Sequence, residues 1–159
     1  MKNKVFIYIL AAFVLLIVGF WGYQIYEAQI EAKARQILDK SGMNFYKGSL
    51  EEALQKAKKE ERMLMINFYA AWCSSCRKMK TETFSNVRVY TFYKSHFINI
   101  ALNIEKEGKS LAEKYQVEAF PAMVFVDANG NVLQKVIGFK NVDDFLNIGK
   151  KLSKSQLSQ

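Results

Sequence analysis

The feature that most constrains this chain is an apolar run, Met63 to Tyr69, that leads within three residues into Cys73-Ser74-Ser75-Cys76. A short apolar run bounded by a turn reads as a buried strand. A strand that gives way to a helix at its first cysteine sets that sulfur at a helix N-terminus. There the free N–H groups and the backbone dipole favour the thiolate, the form that attacks disulfides. Cys76 follows one helical turn later and can close a ring with Cys73. These are the only two cysteines of the chain.

The chain has 159 residues, enough for one domain with a core plus additional segments. Val5 to Tyr23 carries no charge. As a helix this stretch would rise about 28 Å, close to the hydrocarbon thickness of a bilayer. Trp21 and Tyr23 stand at its far end, where amphipathic rings favour the interface. A cleaved signal peptide is the alternative, but it would have a shorter apolar core and a small-x-small site just behind it. The residues that follow are bulky, and Ala32-Lys33-Ala34 comes late and among charges. An uncleaved single-pass anchor is therefore expected. Lys2 and Lys4 favour a cytoplasmic N-terminus, which leaves the rest of the chain outside: in a bacterium, in the periplasm on the inner membrane.

The net charge is +8, with basic residues interleaved among acids and not gathered in a block. That pattern reads as a solvated basic surface, with no nucleic-acid partner.

Four regions are expected: a membrane anchor over residues 1–23, a helical stalk over 24–42, a mixed α/β domain over 43–152, and a polar, frayed tail over 153–159. Within the domain, Met43 to Tyr46 is expected to be a short strand. Ser49 and Glu52 form a capping box for the helix that follows. Met63 to Ala70 is a buried strand, Cys73 to Thr83 a helix, and Asn86 to Ser95 a further helix or a continuation. Phe97 to Leu102 is a strand, and Lys109 to Tyr115 a short helix. Met123 to Val126 and Asn131 to Ile137 form a hairpin around Asp127-Ala128-Asn129-Gly130. Asn141 caps the last helix, with Asp144 at its third position. Strands joined through helices should be parallel, and the hairpin should add antiparallel pairing.

Cys73 is the expected nucleophile and the more exposed sulfur, and Cys76 the more buried resolving thiol. Arg77, Lys78 and Lys80 follow closely, placed to hold negative charge on Cys73, although Lys80 could equally point to water. A zinc site would need four ligands, and only His96 remains beside the two cysteines, so no metal is expected. His96 reads as a surface or packing residue. Pro121, the only proline, precedes a strand; from the residues alone it is either a cis-proline or an ordinary strand-start proline.

Together, the apolar strand, Trp72-Cys73-x-x-Cys76, the downstream Pro121, the Asn129-Gly130 hairpin and the closing helix resemble the thioredoxin-like proteins. Asn67-Phe68-Tyr69-Ala70-Ala71-Trp72-Cys73 and Glu82-Thr83-Phe84-Ser85 resemble the C-terminal periplasmic thioredoxin-like domain of the DsbD thiol–disulfide interchange family. The resemblance covers residues 43 to 152. It implies a thioredoxin-like fold with Pro121 in cis facing the cysteines. It also implies that the backbone of Phe120 pairs with a bound polypeptide as an added strand, and that Trp72 shapes the docking surface.

Two positions depart from the family pattern. A buried acid is usual six residues before the first cysteine, where this chain has Asn67; the DsbD group has an acid seven residues after it, where this chain has Lys80. Loss of both anions should favour the thiolate of Cys73, and so the reduced form, while removing an internal base for Cys76. The implied function is a membrane-anchored extracytoplasmic thiol–disulfide oxidoreductase, most simply a reductase of protein disulfides. It would need no cofactor beyond the Cys73–Cys76 pair and would be fed by a membrane electron carrier of the DsbD type. Ser74-Ser75 and Phe120 do not match the usual oxidase signature. The alternative is a thioredoxin-like module that binds folding or cytochrome c assembly clients, or senses redox state, without turnover.

Overall fold

The computed structural model describes residues 13–29 and 42–157. The chain divides into two compact units at Gln36/Ile37, each described by itself. In the first, residues 13–29 form one helix, α1, with exposed side chains. Among the described residues no helix is long and apolar enough to cross a membrane. The first part of the expected anchor, residues 1–12, most of the expected stalk, residues 30–41, and the last two residues of the expected tail, 158–159, lie outside the described residues.

The second unit is a four-stranded mixed sheet flanked by helices. Its elements are α2 (Leu50–Lys59), β1 (Met63–Tyr69), α3 (Ser74–Lys78), a π-helical segment (Met79–Phe84), α4 (Val87–His96), β2 (Phe97–Asn103), α5 (Lys109–Lys114), β3 (Ala122–Val126), β4 (Val132–Ile137) and α6 (Val142–Leu157). The strand order is β2-β1-β3-β4. β1 and β2 are parallel, joined through α3, the π segment and α4, and Asn67 lies opposite Ala101. β3 runs antiparallel to both β1 and β4. The hairpin loop is closed by the Asp127 carboxylate, which accepts the amides of Asn129 and Asn131 at 2.8 and 2.9 Å. Gly130 supplies the positive φ of 86°.

The alternation of strand side chains builds two cores. Leu64, Ile66 and Phe68 of β1 face α2 and α5, together with Ile98, Ile100 and Leu102 of β2. Met63 and Met65 face the other way, with Met79, Phe84, Tyr93, Met123, Phe125 and Phe145. Burying each such large side chain contributes about 1.5–3 kcal/mol. Tyr93 of α4 stacks on Phe145 of α6 with centroids 4.3 Å apart, and its hydroxyl donates to the Phe145 carbonyl at 2.8 Å. Gly149 makes this approach possible, because a Cβ there would stand 2.8 Å from the Phe92 ring and 2.9 Å from the Tyr93 hydroxyl.

Three expectations are corrected. Met43 to Tyr46 forms no strand. One backbone bond, from the Tyr46 amide to the Asn99 carbonyl, ties the segment to β2, and one bond is not a ladder. Met43 joins the second core, while Tyr46 packs on the first, so the segment is held by side chains on opposite faces. The single helix expected from Cys73 to Thr83 is α3 followed by the π segment. The wider turn there lets Met79, Lys80, Thr83 and Phe84 all be buried. The tail is not frayed from residue 153: α6 runs through Leu157, and Leu152 in it is buried.

Candidate functional site

β1, an interior strand, ends at Tyr69, and Ala70 to Trp72 make the turn into α3. Cys73 is the N-cap of α3, in extended conformation. Its Sγ accepts the Cys76 amide at 3.1 Å, and its carbonyl accepts the Arg77 amide at 3.2 Å. Cys73 and Cys76 are joined by a disulfide. Once reduced, the sulfur that receives this N–H would receive it as an anion, and a charge-assisted bond is roughly twice as strong as a neutral one.

The expected contrast in exposure is not found. Cys73 is 5% exposed and Cys76 8%, so in the disulfide form both sulfur residues are buried and Cys73 is not the more open. They pack in a small cluster with Ala70, against Tyr69, Ile104 and Phe120. The N-cap position, not exposure, is what sets Cys73 apart from Cys76.

Opposite the cysteines lies the entry to β3. The Phe120–Pro121 peptide is cis. The Pro121 carbonyl accepts the Gly138 amide at 2.7 Å, so it is engaged at the end of β4. Trp72 is 65% exposed and meets Phe120 edge to face, with centroids 6.5 Å apart. These two rings form an aromatic rim beside the disulfide.

The three cations behind Cys73 have different fates. Arg77 donates to the Ala71 carbonyl at 3.1 Å. Lys78 places its ammonium 4.4 Å from the Phe139 ring centroid and 4.0 Å from Glu82. Lys80 is buried in the π segment, 7% exposed, and does not point to water. Burial pushes its pKa down to about 8, because the charged form loses hydration. Asn67 lies on the same face of β1 as Met65 and is 2% exposed; its Oδ1 has no hydrogen-bond partner among the described residues. His96 lies at the end of α4, where it stacks on Phe92 and its Nδ1 is 2.9 Å from the Phe92 carbonyl. Among the described residues no group of three or more His, Cys, Asp or Glu side chains could hold a metal.

Two residues at the site were missed by sequence reasoning. The Glu105 carboxylate accepts the Ala71 amide at 3.1 Å. The Ser75 hydroxyl lies 3.4 Å from Cys73 Sγ and donates to the Phe120 carbonyl at 3.3 Å. Neither contact leaves a periodic signal, because each reaches 34 or 45 residues along the chain.

A family model described as a thioredoxin-like domain matches residues 50–153, which takes in every element from α2 into α6. The chain belongs to the thioredoxin-like domain family. Among relatives, it is 31% identical over 101 residues to the thiol:disulfide interchange protein DsbD of Ralstonia nicotianae, covering 61% of this chain and 16% of that protein. The thioredoxin-like chain thus spans about a sixth of that relative's length. Among solved structures, a thioredoxin from Thermus thermophilus superimposes with a TM-score of 0.63 at 26% identity, covering 70% of this chain and 87% of that one. The oxidised DsbD C-terminal domain of Neisseria meningitidis gives 0.56 at 25% identity, covering 69% and 97%. The expected thioredoxin-like α/β fold and the likeness to the DsbD group therefore hold. The domain is of the thiol–disulfide oxidoreductase type, with a Cys-x-x-Cys pair at its redox position.

Proposed function

We propose that this thioredoxin-like chain is a membrane-anchored, extracytoplasmic reductase of protein disulfides. The Cys73 thiolate attacks one sulfur of a partner disulfide; a mixed disulfide forms and the other partner sulfur leaves as a thiolate. Cys76 then attacks Cys73 Sγ, closing the Cys73–Cys76 disulfide and releasing the partner's second thiolate. Two electrons pass from the dithiol to the partner, and no cofactor or metal is needed. A membrane electron carrier of the DsbD type would return them. The observation that carries this reading is the Cys76 amide aimed at Cys73 Sγ from 3.1 Å, a donor already in place for the anion.

Trp72 and Phe120 line the docking surface, and the backbone of Phe120, ahead of Pro121, pairs with the partner polypeptide. Asn67 and Lys80, where acids stand in relatives, favour the thiolate, and Arg77 adds positive charge on the loop before Cys73. A favoured dithiol makes the oxidised form easier for a donor to recharge, at the expense of reducing power toward the partner. Residues 1–23 serve as the anchor and 24–42 as the stalk, with the N-terminus in the cytoplasm of a bacterial cell and the domain in the periplasm. The apolar Val5–Tyr23 stretch and the flanking Lys2 and Lys4 support this placement.

The test is reduction of insulin disulfides by the purified full chain, paired with trapping by Cys76→Ser in cells. Turnover that is lost in Cys73→Ser, and a partner held as a mixed disulfide, are expected. A chain that binds clients without turnover, or a topology reporter that puts the domain in the cytosol, would overturn the reading.

A further inference from the structure

The Ser75 hydroxyl stands between the attacking sulfur and the backbone that faces it, 3.4 Å from Cys73 Sγ and 3.3 Å from the Phe120 carbonyl. A serine hydroxyl has one proton to donate. In the disulfide form Cys73 carries no proton, so any hydrogen bond between these atoms is Ser75's to give. A disulfide sulfur is a weak acceptor, and the carbonyl takes the proton. In the dithiolate-competent form the balance reverses, because an anionic sulfur attracts a donor more strongly than a neutral carbonyl does.

We infer that Ser75 is a positioning residue that switches its hydrogen bond with redox state, capping the Phe120 carbonyl when Cys73 is oxidised and releasing it when Cys73 is a thiolate. This rests on the reading above, in which the Phe120 backbone docks the partner polypeptide. The reduced protein then presents a free carbonyl to a partner N–H and, in the same motion, holds its thiolate with a second donor beside the Cys76 amide. After Cys76 closes the ring, Ser75 returns to the carbonyl and competes with the reduced partner for it. Product leaves because its acceptor has been taken. No electrons move in this step: the hydroxyl proton stays on Ser75 and only its acceptor changes.

The test uses the full chain with Ser75→Ala and Ser75→Thr, the latter keeping a hydroxyl. Two readouts separate the switch from a packing role. The first is the pH dependence of Cys73 alkylation by iodoacetamide, read at Cys73 by peptide mass. Its midpoint should rise by about one pH unit in Ser75→Ala and return toward the wild-type value in Ser75→Thr. The second is inhibition of insulin reduction by reduced, alkylated insulin chains, which carry a backbone but no disulfide. This should become severalfold stronger in Ser75→Ala, since the oxidised form keeps its carbonyl open. Wild-type midpoint and inhibition in Ser75→Ala, with insulin reduction intact, would overturn the role of Ser75 alone. A wild-type chain that cannot reduce insulin would overturn the thiol-exchange reading along with it.

Discussion

The carboxylate of Glu105 holds the amide of Ala71 at 3.1 Å, while Arg77 holds the carbonyl of the same residue at 3.1 Å. One residue, two positions ahead of Cys73, is thus gripped by charged side chains through the two successive peptide groups that flank it. Glu105 comes from the loop after β2 and Arg77 from α3, so the grip ties the turn before the disulfide to two separate elements. Holding a nucleophile within a fraction of an ångström of its attack geometry is a large part of rate enhancement.

Glu105→Ala should lower kcat/KM for insulin reduction by about tenfold, with the fold retained by circular dichroism. Glu105→Gln keeps an acceptor oxygen and should lose less. Combining Glu105→Ala with Arg77→Met should cost less than the product of the two single losses, because both hold the backbone of one residue. Strictly multiplicative losses would show that they act separately.

The two cysteines should fail differently. Cys73→Ser removes the nucleophile and should reduce insulin turnover by at least about a hundredfold. Cys76→Ser leaves attack possible but not resolution, so partner chains should accumulate as species that migrate slowly on non-reducing gels and collapse with dithiothreitol. Equal trapping by Cys73→Ser would reverse the assignment of roles.

Asn67→Asp places a carboxyl in the buried position six residues before Cys73. An anion added there disfavours a second one, so the Cys73 alkylation midpoint should move up by about half to one pH unit. A midpoint that falls or stays would show that residue 67 does not sense the sulfur's charge. Among the described residues Asn67 Oδ1 has no partner, and an unsatisfied buried acceptor costs folding free energy in the wild type.

Lys80 gives a pH signature of its own. Burial brings its pKa from 10.5 to about 8 in the folded protein. Between those values the unfolded chain holds more protons than the folded one, so this residue's contribution to stability increases as pH rises through that window. Lys80→Met removes the titration. The urea-midpoint advantage of Lys80→Met over wild type should therefore be greater at pH 7.5 than at pH 9.5. An advantage that is constant across this range would mean that Lys80 keeps its ordinary ionisation when folded.

Much of the fold was legible where local chemistry and tertiary packing agree. The Ser49–Glu52 capping box is formed in both directions. The apolar stretches became strands, and Asn141 accepts the Asp144 amide at 2.9 Å at the head of α6. What was not legible depends on contacts distant in sequence. Met43–Tyr46 has a strand's composition but finds only one backbone partner. Periodicity of 3.6 residues reads straight through Met79–Phe84 and cannot register the extra residue in the turn that buries Lys80. Ser75 and Glu105 look like ordinary polar loop and helix residues until the fold brings Phe120 and Ala71 to them. The exposure of the two sulfurs, too, is decided by the neighbouring Phe120 and Ile104 and not by their order in the motif.

The bridge between Cys73 and Cys76 spans only one helical turn, beyond the C-terminal end of β1. No distant segment hangs on it, so opening or closing it need not disturb either core. A tool that is indifferent to its own state can be used again and again: under the proposed exchange, mechanical upheaval would fall on the client and not on this chain.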